Sequence, residues 1–204
     1  MRGKLVTYLR DSVTFFGGFL RHPLATGGLL PSSRALAEAL IRLGPIGRGD
    51  FVVEFGPGTG SCTAPILEQI GPEGKFVGFE TNEVFVKLLR ERFPQALIIH
   101  DGAQKADEHF RRLGLEPADV VISGLPFGTI PVPVSRRVIQ AARAILKPGG
   151  TFLSFQYCLS APFPRTRRFR SMLAETFAGY RLRPVWLNVP PALVVQARKN
   201  GDRP

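Results

Sequence analysis

The sequence predicts an α/β fold: a mostly parallel, seven-stranded sheet with helices on both faces and an antiparallel hairpin at one edge. Three observations predict it. From residue 51 onward, short apolar runs alternate with helix-length segments, the pattern of βαβ units. Runs such as FVVEF and DVVIS are apolar nearly throughout, as strands covered on both faces require. After residue 180 two strand-like runs succeed one another without a helix between them, which suits an antiparallel pair.

The elements follow in order. Residues 4–20 have helical periodicity, with Leu5, Val6, Tyr8, Leu9, Val13, Phe15, Phe16, Phe19 and Leu20 on one half of the wheel. Ser32 or Ser33 caps a second helix over 34–43, which Gly44-Pro45 closes. FVVEF (51–55) leads through a glycine-rich turn into a helix over 61–70. KFVGFE (75–80), a helix to residue 93, ALIIH (96–100), a helix near 103–113 and DVVIS (119–123) continue the alternation. A helix over 134–146 ends in Lys147-Pro148-Gly149-Gly150 before TFLSFQY (151–157). A basic helix near 165–178 precedes the strands 180–189 and 193–198. The chain therefore divides into N-terminal helices, 1–48, and a sheet domain, 49–204.

The 204 residues carry 27 Lys+Arg against 16 Asp+Glu, a net charge of +11. The charge sits at the two ends: residues 1–48 are net +5, 49–164 net −1 and 165–204 net +7. A basic field of this kind implies an anionic partner, a nucleic acid or an anionic membrane surface. With 44% hydrophobic residues the chain is not a disordered basic tail. Cys62 and Cys158 give no disulfide framework, and His22, His100 and His109 add no zinc spacing, so no metal is expected. Cys62 is read as a packing residue. No uncharged run reaches the roughly 20 apolar residues of a spanning helix, and Arg10 and Asp11 interrupt any signal sequence. A cytoplasmic, unprocessed protein is expected.

Chemistry concentrates after the first strand. Glu54-Phe55-Gly56-Pro57-Gly58-Thr59-Gly60 turns from strand to helix, where glycines let the backbone approach a ligand. Its spacing is GxGxG, not the GxGxxG of dinucleotide folds. Glu54, Glu80 and Asp101 end the first three strands. Glu54 is placed to meet a cationic ligand group, Glu80 to accept from ribose hydroxyls, and Asp101 or the backbone after it to read an adenine. All three converge on one crevice.

VVEFGPGTG, the acid of VGFE, HDGA, SGLPF and LKPGG, in that order, resemble the motif series of class I S-adenosylmethionine-dependent methyltransferases. The resemblance implies a Rossmann-like domain that uses S-adenosylmethionine. Glu54 and the loop of Gly56, Gly58 and Gly60 would surround its methionine part and Glu80 its ribose. Asp101, Gly102 and Ala103 would flank the adenine, and Ser123 would be a further cofactor-binding residue. Gly124-Leu125-Pro126-Phe127 is similar to the (Asn/Asp/Ser)-x-Pro-(Tyr/Phe) tetrapeptide of amino-methyltransferases. In those enzymes the first side chain and the next carbonyl accept from the target amine, and the aromatic ring stacks on the base. Here the first position is glycine, which weakens an adenine reading.

With TGGLLPSSRALAEAL (26–40) and the amphipathic helix before it, the chain resembles the small soluble bacterial phosphatidylethanolamine N-methyltransferases. That resemblance implies N-methylation of phosphatidylethanolamine towards phosphatidylcholine by a peripheral membrane enzyme. The segment around Pro31 and Ser32 would cover the cofactor, and the helix bearing Tyr8, Phe16 and Phe19 would lie on the bilayer. Arg165, Arg167 and Arg168 are the candidates for a headgroup phosphate. Tyr157 and Tyr180, with Leu125 and Phe127, are the candidate catalytic residues beside the amine, through proton acceptance or cation–π attraction. Ribosomal RNA adenine methylation, ornithine-lipid methylation and a non-catalytic basic binding module are the alternatives.

Overall fold

The computed structural model describes residues 34–177, 179–186 and 190–201. The expected helix at 4–20 lies outside them, and so do the candidates Tyr8, Phe16, Phe19, Pro31 and Ser32. The elements are α1 (Arg34–Leu43), β1 (Phe51–Phe55), α2 (Thr63–Ile70), β2 (Lys75–Glu80), α3 (Glu83–Arg92), β3 (Leu97–His100), α4 (Ala106–Leu113), β4 (Ala118–Ser123), α5 (Val132–Ile145), β5 (Leu146–Tyr157), α6 (Pro164–Thr176), β6 (Tyr180–Val185) and β7 (Ala192–Arg198). Short 3-10 turns occupy Ala103–Lys105 and Cys158–Ser160. The strands form one sheet in the order β3-β2-β1-β4-β5-β7-β6. Strands β1 to β5 pair in parallel, and β7 is antiparallel to both β5 and β6. The mostly parallel sheet with an antiparallel edge hairpin is thus observed.

All five residues of β1 are buried, because helices cover both faces of the sheet. One core gathers Phe55, Phe79, Phe152 and Phe169; the other gathers Leu36, Leu40, Ile66, Ile70, Leu89 and Leu153. Each such side chain contributes about 1.5–3 kcal/mol by leaving water. Local signals set the helix ends. Asn82 accepts from the amides of Val84 and Phe85 and caps α3, whose first turn carries Glu83 and last turn Arg90 and Arg92. The Gly44 amide donates to Leu40 O at 2.8 Å and closes α1.

Two boundaries differ from the sequence pattern. Strand β5 starts at Leu146, not 151, because Gly149 and Gly150 exchange backbone hydrogen bonds with Lys199. Helix α5 starts at Val132, immediately behind Pro131. The order of strands reverses between β1 and β4, whose ends lie side by side at Phe55 and Ser123. A sheet that reverses there opens a crevice at its carboxyl edge.

Candidate active site

The loop from β1 to α2 forms the floor of that crevice. Gly56, Gly58 and Gly60 have φ of +72°, +56° and +84°, a region that side chains disfavour. A Cβ at Gly60 would lie 2.6 Å from the Phe93 ring, whereas one at Gly58 would meet nothing within 4 Å. The loop thus packs tightly at its helix end and presents open backbone at its middle.

Glu54, next to last in β1, is buried, and Thr63 Oγ1 of α2 donates to its carboxyl at 2.6 Å. Burial pushes this carboxyl up to about 7, against the lowering effect of Thr63 and with a further push from Glu80. No cation faces it among the described residues. A buried carboxyl so placed has a strong electrostatic demand for one.

Glu80 holds the loop from the neighbouring strand. Its Oε2 accepts from Gly58 N at 3.0 Å, and its Oε1 from Thr81 N at 2.8 Å and Asn82 N at 2.9 Å. A carboxylate offers about four lone pairs, so one acceptor position stays open. Asp101, just past β3, accepts from Gly102 N at 2.8 Å, Lys105 Nζ at 3.0 Å and His109 Nε2 at 2.9 Å. Burial would raise this carboxyl, but the bonds from His109, Gly102 and Lys105 together hold it below its ordinary value. Ala103, two residues on, is buried at the start of its turn.

His109 was not legible as a site residue. Its Nδ1 lies 2.9 Å from Arg112 Nη2, and a guanidinium can only donate. Nδ1 is therefore the acceptor, and Nε2 carries the hydrogen given to Asp101. Phe79 meets the imidazole ring edge-on at 5.7 Å. The pair His109–Arg112 on α4 fixes which way the Asp101 carboxylate points.

The loop after β4 is tied to the glycine loop. Gly124 N donates to Phe55 O at 2.9 Å. A Cβ at Gly124 would sit 3.0 Å from Gly56 O, and one at Gly56 would sit 2.9 Å from Leu125 Cδ2. The glycine that replaces the tetrapeptide's acceptor is thus a packing requirement of these two loops. Ser123 is fully buried, and its hydroxyl accepts from Leu125 N at 3.4 Å, bracing the loop from beneath. The Leu125 carbonyl accepts from Phe127 N at 3.0 Å and keeps a second lone pair.

Two aromatic expectations are corrected. Phe127 is only 4% exposed, and its ring stacks on Phe169 of α6 at 4.2 Å and 17°. It anchors the loop in the core and does not present its face to the crevice. Tyr180 pairs with Ala197, whereas Tyr157 and Val185 both pair with Ala192. Five residues of β7 separate these positions, about 17 Å at strand rise. Ala197 registers through Phe152 and Val121 with Val53, the middle of β1, so Tyr180 lies level with the middle of the sheet, short of the carboxyl edge where the crevice opens. Tyr157 is at the carboxyl edge as expected, with Phe155 edge-on at 6.0 Å. Burial raises its phenol above the ordinary value, which disfavours a phenolate base and leaves a ring and a neutral hydroxyl.

Arg165, Arg167 and Arg168 are exposed on the first turns of α6, without ion-pair partners among the described residues. Exposed apolar side chains precede them in the chain, Leu159 at 77% and Phe163 at 60%, and Trp186 past the end of β6 is exposed at 70%. Trp186 follows the Val185–Ala192–Tyr157 row, so all three apolar residues stand at the carboxyl edge. Among the described residues, no helix is long and apolar enough to cross a membrane.

The chain matches the methyltransferase domain family over residues 52–150. It is 30% identical over 187 residues to the ornithine lipid N-methyltransferase of Singulisphaera acidiphila, covering 90% of this chain and 94% of that protein. It is 38% identical over 117 residues to ribosomal RNA small subunit methyltransferase A of Alcanivorax borkumensis, covering 55% of this chain and 39% of that protein. The structure of Aeropyrum pernix fibrillarin with natively bound S-adenosyl-L-methionine has a TM-score of 0.64 at 22% identity, covering 81% of this chain and 73% of that one. That last likeness speaks for the fold. The chain belongs to the class I S-adenosylmethionine-dependent methyltransferases, and S-adenosylmethionine is its cofactor.

Proposed function

We propose that this enzyme N-methylates the amine of a membrane lipid at the bilayer surface. The observation that carries the reading is the end-to-end likeness to an ornithine lipid N-methyltransferase, against a likeness over only 39% of the ribosomal RNA enzyme. Gly124 supports it: the position that grips a base amine is filled by packing against Gly56 O. The exposed Leu159, Phe163 and Trp186, together with the exposed Arg165, Arg167 and Arg168, support a lipid surface as the partner. Ornithine lipid is the first acceptor to test. Phosphatidylethanolamine is the second, favoured by the motif resemblance.

The site residues fit the cofactor group by group. Glu54 would receive an ammonium, Glu80 a ribose hydroxyl at its open acceptor position, and Asp101 with the Ala103 backbone an adenine edge, while the space at Gly58 leaves room for close approach. Bound S-adenosylmethionine supplies an electrophilic methyl group. The chain must supply a neutral amine: a primary ammonium with a pKa near 10 is neutral in about one part in a thousand at pH 7, roughly 4 kcal/mol to recover. The Leu125 carbonyl accepts a hydrogen bond from the amine and orients its lone pair. Half-buried Tyr157 excludes water and attracts alkylated ammonium through its ring.

Purified protein with labelled S-adenosylmethionine and vesicles containing ornithine lipid or phosphatidylethanolamine is expected to label lipid. Label found only in added ribosomal RNA refutes the reading. Tyr157→Leu is expected to lower kcat/KM for the lipid about 2- to 30-fold, while Tyr180→Phe leaves it unchanged. Steady-state assays of both variants check this, and equal losses would contradict the register argument. His109→Leu is expected to weaken cofactor binding several-fold with kcat little changed, because Asp101 loses its fixed orientation. His109→Gln, which can both donate to Asp101 and accept from Arg112, is expected to restore affinity in calorimetric titration.

A further inference from the structure

Arg170 is the arginine of the α6 cluster that turns inward. It follows Phe169 and lies one helical turn from buried Thr166 and Leu173. Its Nε donates to Gln156 Oε1 at 3.1 Å. Its Nη2 is buried with no hydrogen-bond partner, and so is Nε2 of Gln156, a residue only 8% exposed. Ser154 Oγ, two residues back on the same face of β5, is a third buried and unpartnered polar atom. Three such atoms in one place are unusual, since buried polar groups are nearly always paired.

Their location ties them to the substrate loop. Ser154 pairs with Ser123 at the end of β4, so Gln156 stands about 7 Å farther along β5, toward the carboxyl edge. Helix α6 also carries Phe169, which stacks under Phe127 of the substrate loop. The two orphan nitrogens belong to side chains already bonded to each other, so they are members of one hydrogen-bonded pair.

The charge identifies the missing partner. Residues 158–174 contain four arginines and no carboxylate, and no ion pair involves Arg170 among the described residues. A water bridging the nitrogens would satisfy their hydrogen bonds and leave the guanidinium unpaired. An oxyanion satisfies both.

We infer that Arg170 and Gln156 form a donor pair for the anionic group that a zwitterionic lipid carries beside its amine. That group is an oxyanion: the phosphodiester of a phospholipid or the carboxylate of an ornithine lipid. The inference rests on the lipid reading above and deepens it, moving anion recognition from the exposed Arg165, Arg167 and Arg168 to the half-buried Arg170, whose Nη2 is the buried atom. The oxyanion positions the headgroup, so the site selects amines that have an anion one headgroup away.

The test uses the full chain with S-adenosylmethionine and neutral carrier vesicles. Three acceptors are presented separately: phosphatidylethanolamine, ornithine lipid and a long-chain alkylamine without an anion. In Arg170→Gln and Gln156→Leu, cofactor affinity by calorimetry reports that the fold is retained. KM for the zwitterionic acceptor is expected to rise about ten- to a hundredfold, with kcat much less affected. The preference for that acceptor over the alkylamine is expected to collapse by the same factor. Which lipid the wild type uses decides between phosphate and carboxylate. A preference unchanged in both variants, or equal losses on the alkylamine, overturns the inference. If the wild type methylates no lipid, the function proposed above fails, and the donor pair is read by itself through thermal stabilisation in millimolar inorganic phosphate. Stabilisation that Arg170→Gln abolishes supports the anion site; stabilisation that is absent, or unchanged in the variant, overturns it.

Discussion

Glu54→Gln is expected to abolish cofactor binding and, at pH 8, to make the free protein more stable. Both effects have one cause. Glu54 is buried with Thr63 as its hydrogen-bond donor, and its carboxyl is raised from 4.5 to about 7. Because the folded value is the higher one, folding favours the protonated form. That stabilisation is complete below pH 4.5 and is lost as pH rises through about 7. Above pH 7 the free protein therefore carries a buried ionised carboxylate at a cost on the order of 3 kcal/mol. Glutamine keeps the Thr63 bond and removes the charge, so the thermal midpoint of the variant exceeds that of wild type at pH 8 but not at pH 5.

In the proposed site the ionised form is nevertheless the one that would receive an ammonium. Cofactor affinity of the wild type is thus expected to fall about tenfold from pH 8 to pH 6, with close to one proton released per cofactor bound at pH 6. Titrations in buffers of different ionisation enthalpy measure both. A flat affinity across that range in the wild type, or wild-type affinity in Glu54→Gln, would remove Glu54 from the ammonium site.

The second large effect is expected at Phe169. Its ring is fully buried, stacks on Phe127 and shares a core with Met172, Leu173 and Phe177. Phe169→Ala costs about 3–5 kcal/mol from lost burial and the cavity left behind, a drop in thermal midpoint of about 6–20 °C for a domain of this size. It also frees Phe127, so the substrate loop loses its anchor while Glu54, Glu80 and Asp101 keep theirs. At temperatures where the variant stays folded, turnover of lipid should fall much more than cofactor affinity. Phe169→Leu fills most of the cavity and should recover most of the stability. A loss in Phe169→Ala below about 1 kcal/mol would show that α6 collapses onto the gap and that the stack is dispensable.

The strands and the three acids that end them were legible because each lies in a short apolar run closed by a turn. Periodicity locates such a run without knowledge of its partners. Tyr180 was not, because alternation shows that a segment is a strand but not where it registers on its neighbour. Phe127 follows a turn that serves equally well to expose or to bury an aromatic ring, and only the stack with Phe169 decides. His109 becomes a site residue through a contact that depends on how α4 packs. Arg170 is a different case: Thr166, Phe169 and Leu173 mark the buried stripe of α6, and Arg170 stands beside that stripe at helical spacing. Its inward turn was present in the sequence, masked by three more conspicuous arginines.

The position of β7 has a consequence for synthesis. It fills the interior place between β5 and β6 although it follows both in the chain. From the moment Tyr157 leaves the ribosome until Ala192 does, β5 has an open edge, an interval of roughly 2–7 s at about 5–20 residues per second. An unpaired edge that long invites pairing with another nascent chain. Only when β7 inserts, and Pro191 O receives the Cys158 amide at 2.8 Å, does the end of β5 that carries Gln156 and Tyr157 become fixed. The crevice over β1 and β2 is therefore assembled before the acceptor side of the same site.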